Sequence, residues 1–318
     1  MNPEHLLQGL KARDPRAIAR AISMVEDGDP ASDAILASLD ESRIDEALIL
    51  GITGPPGAGK STLTDQIIAT YRARGRRIGV VAVDPSSSIS GGALLGDRIR
   101  MMGHAVDSDV IVRSMATRGR LGGLCAAAGA AVRILASTGC SPVIIETVGV
   151  GQSEMDIIRL ADITALVLAP GLGDDIQAMK AGLLEVADLL IVNKADAAGA
   201  EILAMDMEVV ARERRDRGRG TARVCMTVAS EGKGVDALLK TVESLEDDFR
   251  RDGEFKKRRK NAYDLEVLDW ALELIKPKLL AEIVKNGSSH RGDPRMRAAG
   301  VLRQLEHGEE RSTGEHHG

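Results

Sequence analysis

Aromatic residues are scarce in this sequence and make up only 2% of its 318 residues. A full hydrophobic core is still available, since 44% of the residues are hydrophobic. That core must be built mainly from alanine, valine, isoleucine and leucine, as in a parallel β-sheet that is buried on both faces. The length fits one large domain with extensions, or two small domains.

The sequence also lacks cysteine pairs, long apolar runs and an excess of positive charge. The three cysteines, Cys125, Cys140 and Cys225, have neither disulfide nor zinc-site spacing, which favours a reducing cytoplasm. No apolar run reaches the ~18 residues that suggest a membrane span, and the N-terminus is unlike a signal peptide. The formal net charge of -5 disfavours electrostatic binding of nucleic acid. We therefore expect a cytoplasmic protein that binds neither membranes nor nucleic acids.

Between residues 47 and 247, short apolar runs alternate with stretches of helical periodicity. This alternation predicts an α/β fold with a mostly parallel central sheet flanked by helices. Ligands of such sheets bind beyond the carboxyl ends of the strands. The predicted strands are Leu48–Thr53, Ile78–Val83, Val110–Arg113, Val143–Glu146, Ala165–Ala169, Leu189–Asn193 and Arg223–Val228.

Helical extensions flank this predicted domain. Apolar residues recur at helical spacing within residues 1–46, and an amphipathic helix is predicted at 262–284. Its apolar face would dock on the domain or on a second copy of the chain. The basic run at 255–260 is interpreted as a solvated helix face. The predicted parts are thus an N-terminal helical extension (1–46), a central domain (47–247) and a C-terminal helical arm with a flexible tail (248–318).

A glycine-rich loop follows the first predicted strand. Gly54, Gly59, Lys60 and Ser61 match the phosphate-loop pattern G-x-x-x-x-G-K-[ST], and a helical stretch begins at Ser61. Glycines let backbone N–H groups surround a polyphosphate, while the lysine reaches its β- and γ-phosphates and the serine hydroxyl holds Mg²⁺. The predicted nucleotide-binding residues of this P-loop are Gly54, Pro55, Pro56, Gly57, Ala58, Gly59, Lys60, Ser61 and Thr62.

A second motif, Asn193-Lys194-Ala195-Asp196, follows a predicted buried strand. The Asp196 carboxylate can accept hydrogen bonds from guanine N1–H and N2–H₂, a donor pair that adenine lacks. Asn193 and the stem of Lys194 would brace the loop and cover the base. The run Val228-Ala229-Ser230 ends the next predicted strand, and its backbone N–H groups would contact guanine O6. These residues predict GTP and GDP as the ligands.

Acidic residues follow other predicted strands. Glu146 precedes Gly149 by three positions, a pattern in which the acid holds Mg²⁺ or its waters and the glycine N–H senses a γ-phosphate. Asp84 directly follows the second predicted strand, and Asp97 follows a glycine-rich loop. Because Mg²⁺ keeps several waters, we expect Ser61 to bind it directly and the three acids to act mostly through water or in different states. The alternative for Asp84 and Asp97 is that they cap turns.

The segment Pro170–Gln177 leads into a helix that carries Lys180. It is either an ordinary helix start with acidic residues, among them Asp174, or a switch that brings Lys180 to the nucleotide.

Gln152 is the nearest glutamine after Gly149, and no glutamine is placed to orient an attacking water. We therefore predict that GTP hydrolysis is slow unless a partner completes the site.

Together these motifs resemble the methylmalonyl-CoA mutase-associated GTPases, the MeaB/ArgK-like family of SIMIBI-class P-loop GTPases. The resemblance covers about residues 5–245, and the combination of its motifs is far more specific than the phosphate loop alone. The strings that carry it are Gly54–Thr62, Val81–Ser87, Gly91–Met101, Glu146–Glu154, Pro170–Gly182 and Asn193–Asp196.

The resemblance implies a homodimeric GTPase that acts as a chaperone for a coenzyme-B12-dependent acyl-CoA mutase such as methylmalonyl-CoA mutase. It would gate cofactor loading and protect the mutase from inactivation, with an adenosyltransferase as a further partner. By the same resemblance, Asp84 and Asp97 belong to the metal and first-switch region and Glu146 to the second switch. Asp174 and Lys180 belong to a third switch that links the mutase to hydrolysis. The catalytic residues expected on this basis are Lys60, Glu146, Asp174 and Lys180.

Two other functions compete with this one. A metallochaperone-type GTPase would need a Cys/His cluster near a switch, and the sequence offers none there. An ATP-dependent kinase linked to transport proteins would fit the phosphate loop, but Asp196 disfavours adenine.

Overall fold

The computed structural model describes residues 3–84, 107–116, 123–147, 155, 159–172, 182–218, 220–285 and 293–314. The chain forms two compact units, Met1–Leu265 and Glu266–Gly318. Within the described ranges, no helix is long and apolar enough to cross a membrane. The division into parts 1–46, 47–247 and 248–318 stays a prediction.

A sheet of seven parallel strands forms the centre of the first unit. The strands are β1 (Ile49–Thr53), β2 (Ile78–Asp84), β3 (Val110–Ala116), β4 (Val143–Thr147), β5 (Ile163–Leu168), β6 (Leu189–Val192) and β7 (Arg223–Met226). They lie in the order β3-β2-β4-β1-β5-β6-β7. The predicted fold class is confirmed, and the ends of the predicted strands shift by no more than three residues.

Helices flank the sheet and extend the chain at both ends. The N-terminal helices are α1 (Pro3–Lys11), α2 (Pro15–Asp27), α3 (Ser32–Ala37) and α4 (Glu41–Glu46). Those that alternate with the strands are α5 (Lys60–Ala73), α6 (Gly123–Ser137), α7 (Leu183–Val186), α8 (Ala200–Asp216) and α9 (Val235–Asp252). The C-terminal helices are α10 (Glu254–Lys285) and α11 (Pro294–Gly314).

The hydrophobic core has a cluster on each face of the sheet. Ala165 and Val167 of β5 pack in one cluster with buried residues of α5 and α9. Leu166 and Leu168 pack in the other cluster with residues of α7 and α8. This alternation follows from the strand period of two. Because both faces are covered, the strands carry apolar residues at consecutive positions, which made them recognisable in the sequence.

The N-terminal helices contact the sheet domain through α2 and α4, which both pack on α6. The Asp14 side chain caps the start of α2 by accepting a hydrogen bond from the backbone N–H of Arg16, at 3.0 Å. Gly28 ends the helix in the left-handed conformation. The buried face of α2 has the helical spacing seen in the sequence, with Ala17, Ile18, Ala21, Ile22 and Val25.

The start of α10 is tied to the amino-terminal edge of the sheet. Arg258 forms a bidentate ion pair with Asp188, at 2.7 and 2.9 Å, and Arg259 pairs with Asp162. Both aspartates are buried, and burial raises the pKa of Asp162 while the hydrogen bonds from Arg259 oppose this rise. The interpretation of residues 255–260 as a solvated face is therefore wrong for these two arginines, because their acidic partners are distant in the sequence.

Replacing Arg259 with methionine is expected to destabilise the protein by about 3 kcal/mol, because the Asp162 carboxylate stays buried without its cation. Arg259 also donates to the backbone carbonyls of Ile44 and Ala47, so the N-terminal extension loses contacts as well. Urea unfolding followed by circular dichroism measures the change. Arg251→Met is the control, since Arg251 is 69% exposed and surface ion pairs contribute at most about 1 kcal/mol. Equal stability of the two variants would contradict this prediction.

Candidate nucleotide-binding site

The phosphate loop connects the end of β1 at the centre of the sheet to the start of α5. Gly54 and Gly59 have φ values of +145° and +89°, which are open to glycine and strained for other residues. A Cβ atom on Gly54 would lie 2.1 Å from the carbonyl oxygen of Val167, and one on Gly59 would lie 2.4 Å from Nδ2 of Asn193. The loop thus requires glycine at both positions, for conformation and for space.

Lys60, the first residue of α5, is held inside the loop. Its side chain is buried, and its ammonium group donates hydrogen bonds to the carbonyl oxygens of Gly54 and Pro55, at 2.7 and 3.0 Å. The lysine therefore stabilises the curvature of the loop and places a positive charge at the N-terminus of α5. A helix N-terminus with an added cation is a favourable environment for phosphate.

Ser61 and Glu146, both predicted as metal ligands, are in direct contact. The Ser61 hydroxyl donates to Oε1 of Glu146 at 2.7 Å. The two come together because β4 pairs with β1, with Ile52 opposite Glu146, and both strands end at the same edge. A carboxylate beside a hydroxyl offers the hard oxygen ligands that Mg²⁺ prefers, so these two residues fit that ion.

Asn193 links the phosphate loop to the ends of β6 and β7. Its side-chain amide donates to the carbonyl oxygen of Ala58 at 2.9 Å. Its side-chain oxygen accepts hydrogen bonds from the Thr227 hydroxyl and from the backbone N–H of Ala229, both at 3.1 Å. Asn193 is itself buried, which strengthens the electrostatic part of these bonds. A single side chain therefore couples the two predicted halves of the site.

Thr227 was not predicted from the sequence. It is buried, and besides its hydroxyl bond to Asn193 its carbonyl accepts a hydrogen bond from the backbone N–H of Ala195, at 3.0 Å. The only local signal was a hydroxyl residue immediately before the run Val228-Ala229-Ser230. A second hydroxyl pair, Thr147 donating to Thr53 at 3.1 Å, joins the ends of β4 and β1 in the same way.

Asp196 is exposed at the outer end of this network. Lys194, two residues before Asp196, adopts a left-handed conformation, with φ of +55°, at the turn that follows β6. Lys233 lies on the neighbouring loop, where its backbone pairs with Val228. The hydrogen bond to Glu231 and, more weakly, the charge of Asp196 raise the pKa of Lys233. Asp196 and the backbone of the 228–233 loop thus lie on adjacent loops beyond β6 and β7.

Other predicted site residues lie wholly or partly outside the described residues. The backbone of Asp84 ends β2 at the carboxyl edge of the sheet, but its side chain is not among those described. Four predicted site residues lie wholly outside the described ranges: Asp97, Gly149, Asp174 and Lys180. Within the part of the chain that is described, no group of three or more His, Cys, Asp or Glu residues could hold a metal ion.

Comparison with known proteins identifies relatives of this chain. The family described as Methylmalonyl Co-A mutase-associated GTPase MeaB matches residues 18–288. A protein of Pyrococcus horikoshii named as a GTPase is 43% identical over 286 residues, which cover 88% of this chain and 89% of that protein. The mouse methylmalonic aciduria type A homolog, mitochondrial, is 33% identical over 235 residues, which cover 73% of this chain and 56% of the mouse protein. The crystal structure of an LAO/AO transport system kinase has the same fold, with a TM-score of 0.61, 23% identity and 97% of each chain covered.

Proposed function

Because this chain belongs to the family of methylmalonyl-CoA mutase-associated GTPases, we propose that it is a chaperone for a coenzyme-B12-dependent acyl-CoA mutase. The chain is a GTPase, as the description of its family and the name of the Pyrococcus horikoshii relative state. The family match over residues 18–288 is the observation that carries the proposed partner. In this role the protein gates cofactor loading and protects the mutase, with methylmalonyl-CoA mutase as the first candidate client.

The contacts of Asn193 support the binding of a guanine nucleotide across the edge of the sheet. A triphosphate in the loop of residues 54–62 and a base at Asp196 would lie on the two sides of this buried amide. The backbone N–H of Ala229 already donates to Asn193, and those of Val228, Glu231 and Gly232 donate to carbonyl oxygens of the same loop. The contact with guanine O6 is therefore assigned to the backbone N–H of Ser230. Lys60 would neutralise the charge on the β- and γ-phosphates.

Ser61 and Glu146 are the described residues that would hold Mg²⁺. When bound, the ion neutralises charge that develops on the phosphate oxygens during hydrolysis. Glu146 lies at the end of β4, directly before the segment that contains Gly149. If loss of the γ-phosphate moves this segment, the movement would also reach Glu146, which contacts Ser61.

A partner is proposed to accelerate hydrolysis through the segment that carries Asp174 and Lys180. The phosphate-release rate with GTP is expected to rise by about tenfold or more when the client mutase is added, since supplying a missing catalytic group can have much larger effects. Lys180→Ala should abolish most of this increase. Lys240→Ala, an exposed lysine of α9, is the matched control and should keep the full response.

Methylmalonyl-CoA mutase and isobutyryl-CoA mutase should be assayed separately to identify the client. Equal rates with and without each adenosylcobalamin-dependent mutase would reject the proposed partner, although the GTPase activity itself would stand. A Lys180→Ala variant that responds like Lys240→Ala would reject the third-switch role. The homodimer, the adenosyltransferase contact and the cytoplasmic location stay predictions.

A further inference from the structure

A cavity of about 770 Å³ lies at the amino-terminal edge of the sheet. Ala161 and Thr164 lie at the start of β5, Asp188 directly precedes β6, and Thr221 lies just before β7. The phosphate loop follows the carboxyl end of β1, so this cavity is at the opposite edge from the candidate nucleotide site. Its volume is within the range of pockets that bind small molecules, about 300–1,000 Å³.

Arg214, in the last turn of α8, is a buried cation in the wall of this cavity, with 7% of its surface exposed. Its guanidinium donates to the carbonyl oxygens of Leu184 and Ala187, at 3.1 and 2.6 Å, and its Nε atom has no hydrogen-bond acceptor. Among the described residues, no carboxylate forms an ion pair with it. Burial lowers the pKa of Arg214 and outweighs the charges of Asp188 and Glu185, which raise it, so keeping this cation away from water is costly.

The acidic residues in the cavity wall already interact with other groups. Glu185 takes part in an interaction within the chain, as does the basic residue Arg159. The remaining acids are in ion pairs with arginine or lysine: Asp188 with Arg258, Glu254 with Arg258 and Lys257, and Asp252 with Arg251. These carboxylates are therefore paired mainly with other cations. The charges of Asp188 and Glu185 also act on Arg214, but neither forms an ion pair with it, so among the described residues the charge of Arg214 is only partly offset.

We propose that this cavity binds a small organic anion whose carboxylate or phosphate group contacts the guanidinium of Arg214. A guanidinium offers several N–H donors in one plane, which suits the oxygens of either group. Val186, Phe249 and Leu265 also line the cavity and would contact the carbon frame of such a ligand. The site is separate from the nucleotide and does not depend on the partner proposed above.

The side-chain Nε–H signal of Arg214 in the wild-type protein provides a direct test. The protein is loaded with GDP, so that added anions do not compete for the phosphate loop, and the signal is assigned in ¹H–¹⁵N NMR spectra by its loss in Arg214→Gln. Inorganic phosphate and acetate are titrated separately at constant ionic strength, with acetamide as the neutral analogue of acetate. We expect a saturable shift of the Arg214 signal with a midpoint on the order of millimolar, as for ligands of few atoms.

The pattern of responses distinguishes the ligand classes. A shift with phosphate alone indicates a phosphate ester, and a shift with acetate alone indicates a carboxylic acid; both support the site. Arg215→Gln, which changes the exposed neighbour of Arg214 on α8, should keep the same titration curve. The proposal is overturned if neither anion gives a saturable shift, if acetamide gives the same shift as acetate, or if Arg215→Gln removes the response.

Discussion

Replacing Lys60 with alanine is expected to lower the affinity for GTP by about 100-fold. The ammonium group is expected to form charge-assisted hydrogen bonds to phosphate, each worth roughly 1.5–3 kcal/mol, and 1.4 kcal/mol corresponds to a factor of ten. The same group now donates to the carbonyl oxygens of Gly54 and Pro55, so its loss also removes two hydrogen bonds that hold the loop. Isothermal titration calorimetry with GTP and GDP measures the affinity directly.

The loss of affinity for GTP must be distinguished from a general loss of stability caused by removing a buried lysine. Thermal unfolding of Lys60→Ala without nucleotide shows whether the domain still folds, and Lys240→Ala controls for the removal of a positive charge elsewhere. A folded Lys60→Ala protein whose GTP affinity equals that of the wild type would refute the role assigned to the phosphate loop.

Replacing Asp196 with asparagine is expected to reverse the preference between guanine and xanthine. The carboxylate can accept hydrogen bonds from both N1–H and N2–H₂ of guanine, whereas an asparagine amide places its own N–H₂ group against one of these donors. Xanthine carries a carbonyl oxygen in place of the N2 amino group, and that oxygen can accept from the asparagine. We therefore expect the affinity of the variant for GTP to be about 100-fold lower than that of the wild type. The variant should then bind xanthosine triphosphate more tightly than GTP.

Calorimetry with GTP, xanthosine triphosphate and ATP measures this change for the wild type and the variant. Asp206→Asn, at an exposed aspartate of α8, should leave all three affinities unchanged. If ATP displaces GTP from the wild-type protein at equal concentration, the guanine assignment is wrong. If Asp196→Asn keeps the wild-type preference for GTP, the base does not contact this carboxylate.

The sheet was predictable because its strands are buried on both faces. Consecutive apolar residues such as Leu189–Val192 indicate a covered strand, and the helical stretches between such runs require parallel connections. The order of the strands was not predictable in this way. Nothing local in β1 indicates that it lies between β4 and β5, yet this arrangement brings the phosphate loop to the centre of the sheet beside Glu146.

The basic run at 255–260 shows where sequence reasoning was misled. A cluster of lysine and arginine is most often solvated, and the Lys256, Lys257 and Lys260 side chains are indeed exposed. Arg258 and Arg259 instead reach buried aspartates that precede β5 and β6. The sequence alone could not show which residues of the run are paired and which are exposed, because this depends on what each side of the helix contacts in the folded protein.

The sequence by itself determined the chemistry of the site, because its motifs carry donors, acceptors and backbone freedom within a few consecutive residues. The glycines, Lys60 and Ser61 of the loop and the run from Asn193 to Asp196 are of this kind. Only the tertiary structure decided which polar groups meet. Asn193 bonds to Ala58 across 135 residues, Ser61 to Glu146 across 85 and Arg259 to Asp162 across 97. Such pairs form because strand order and helix packing bring them together, and no local pattern specifies that arrangement.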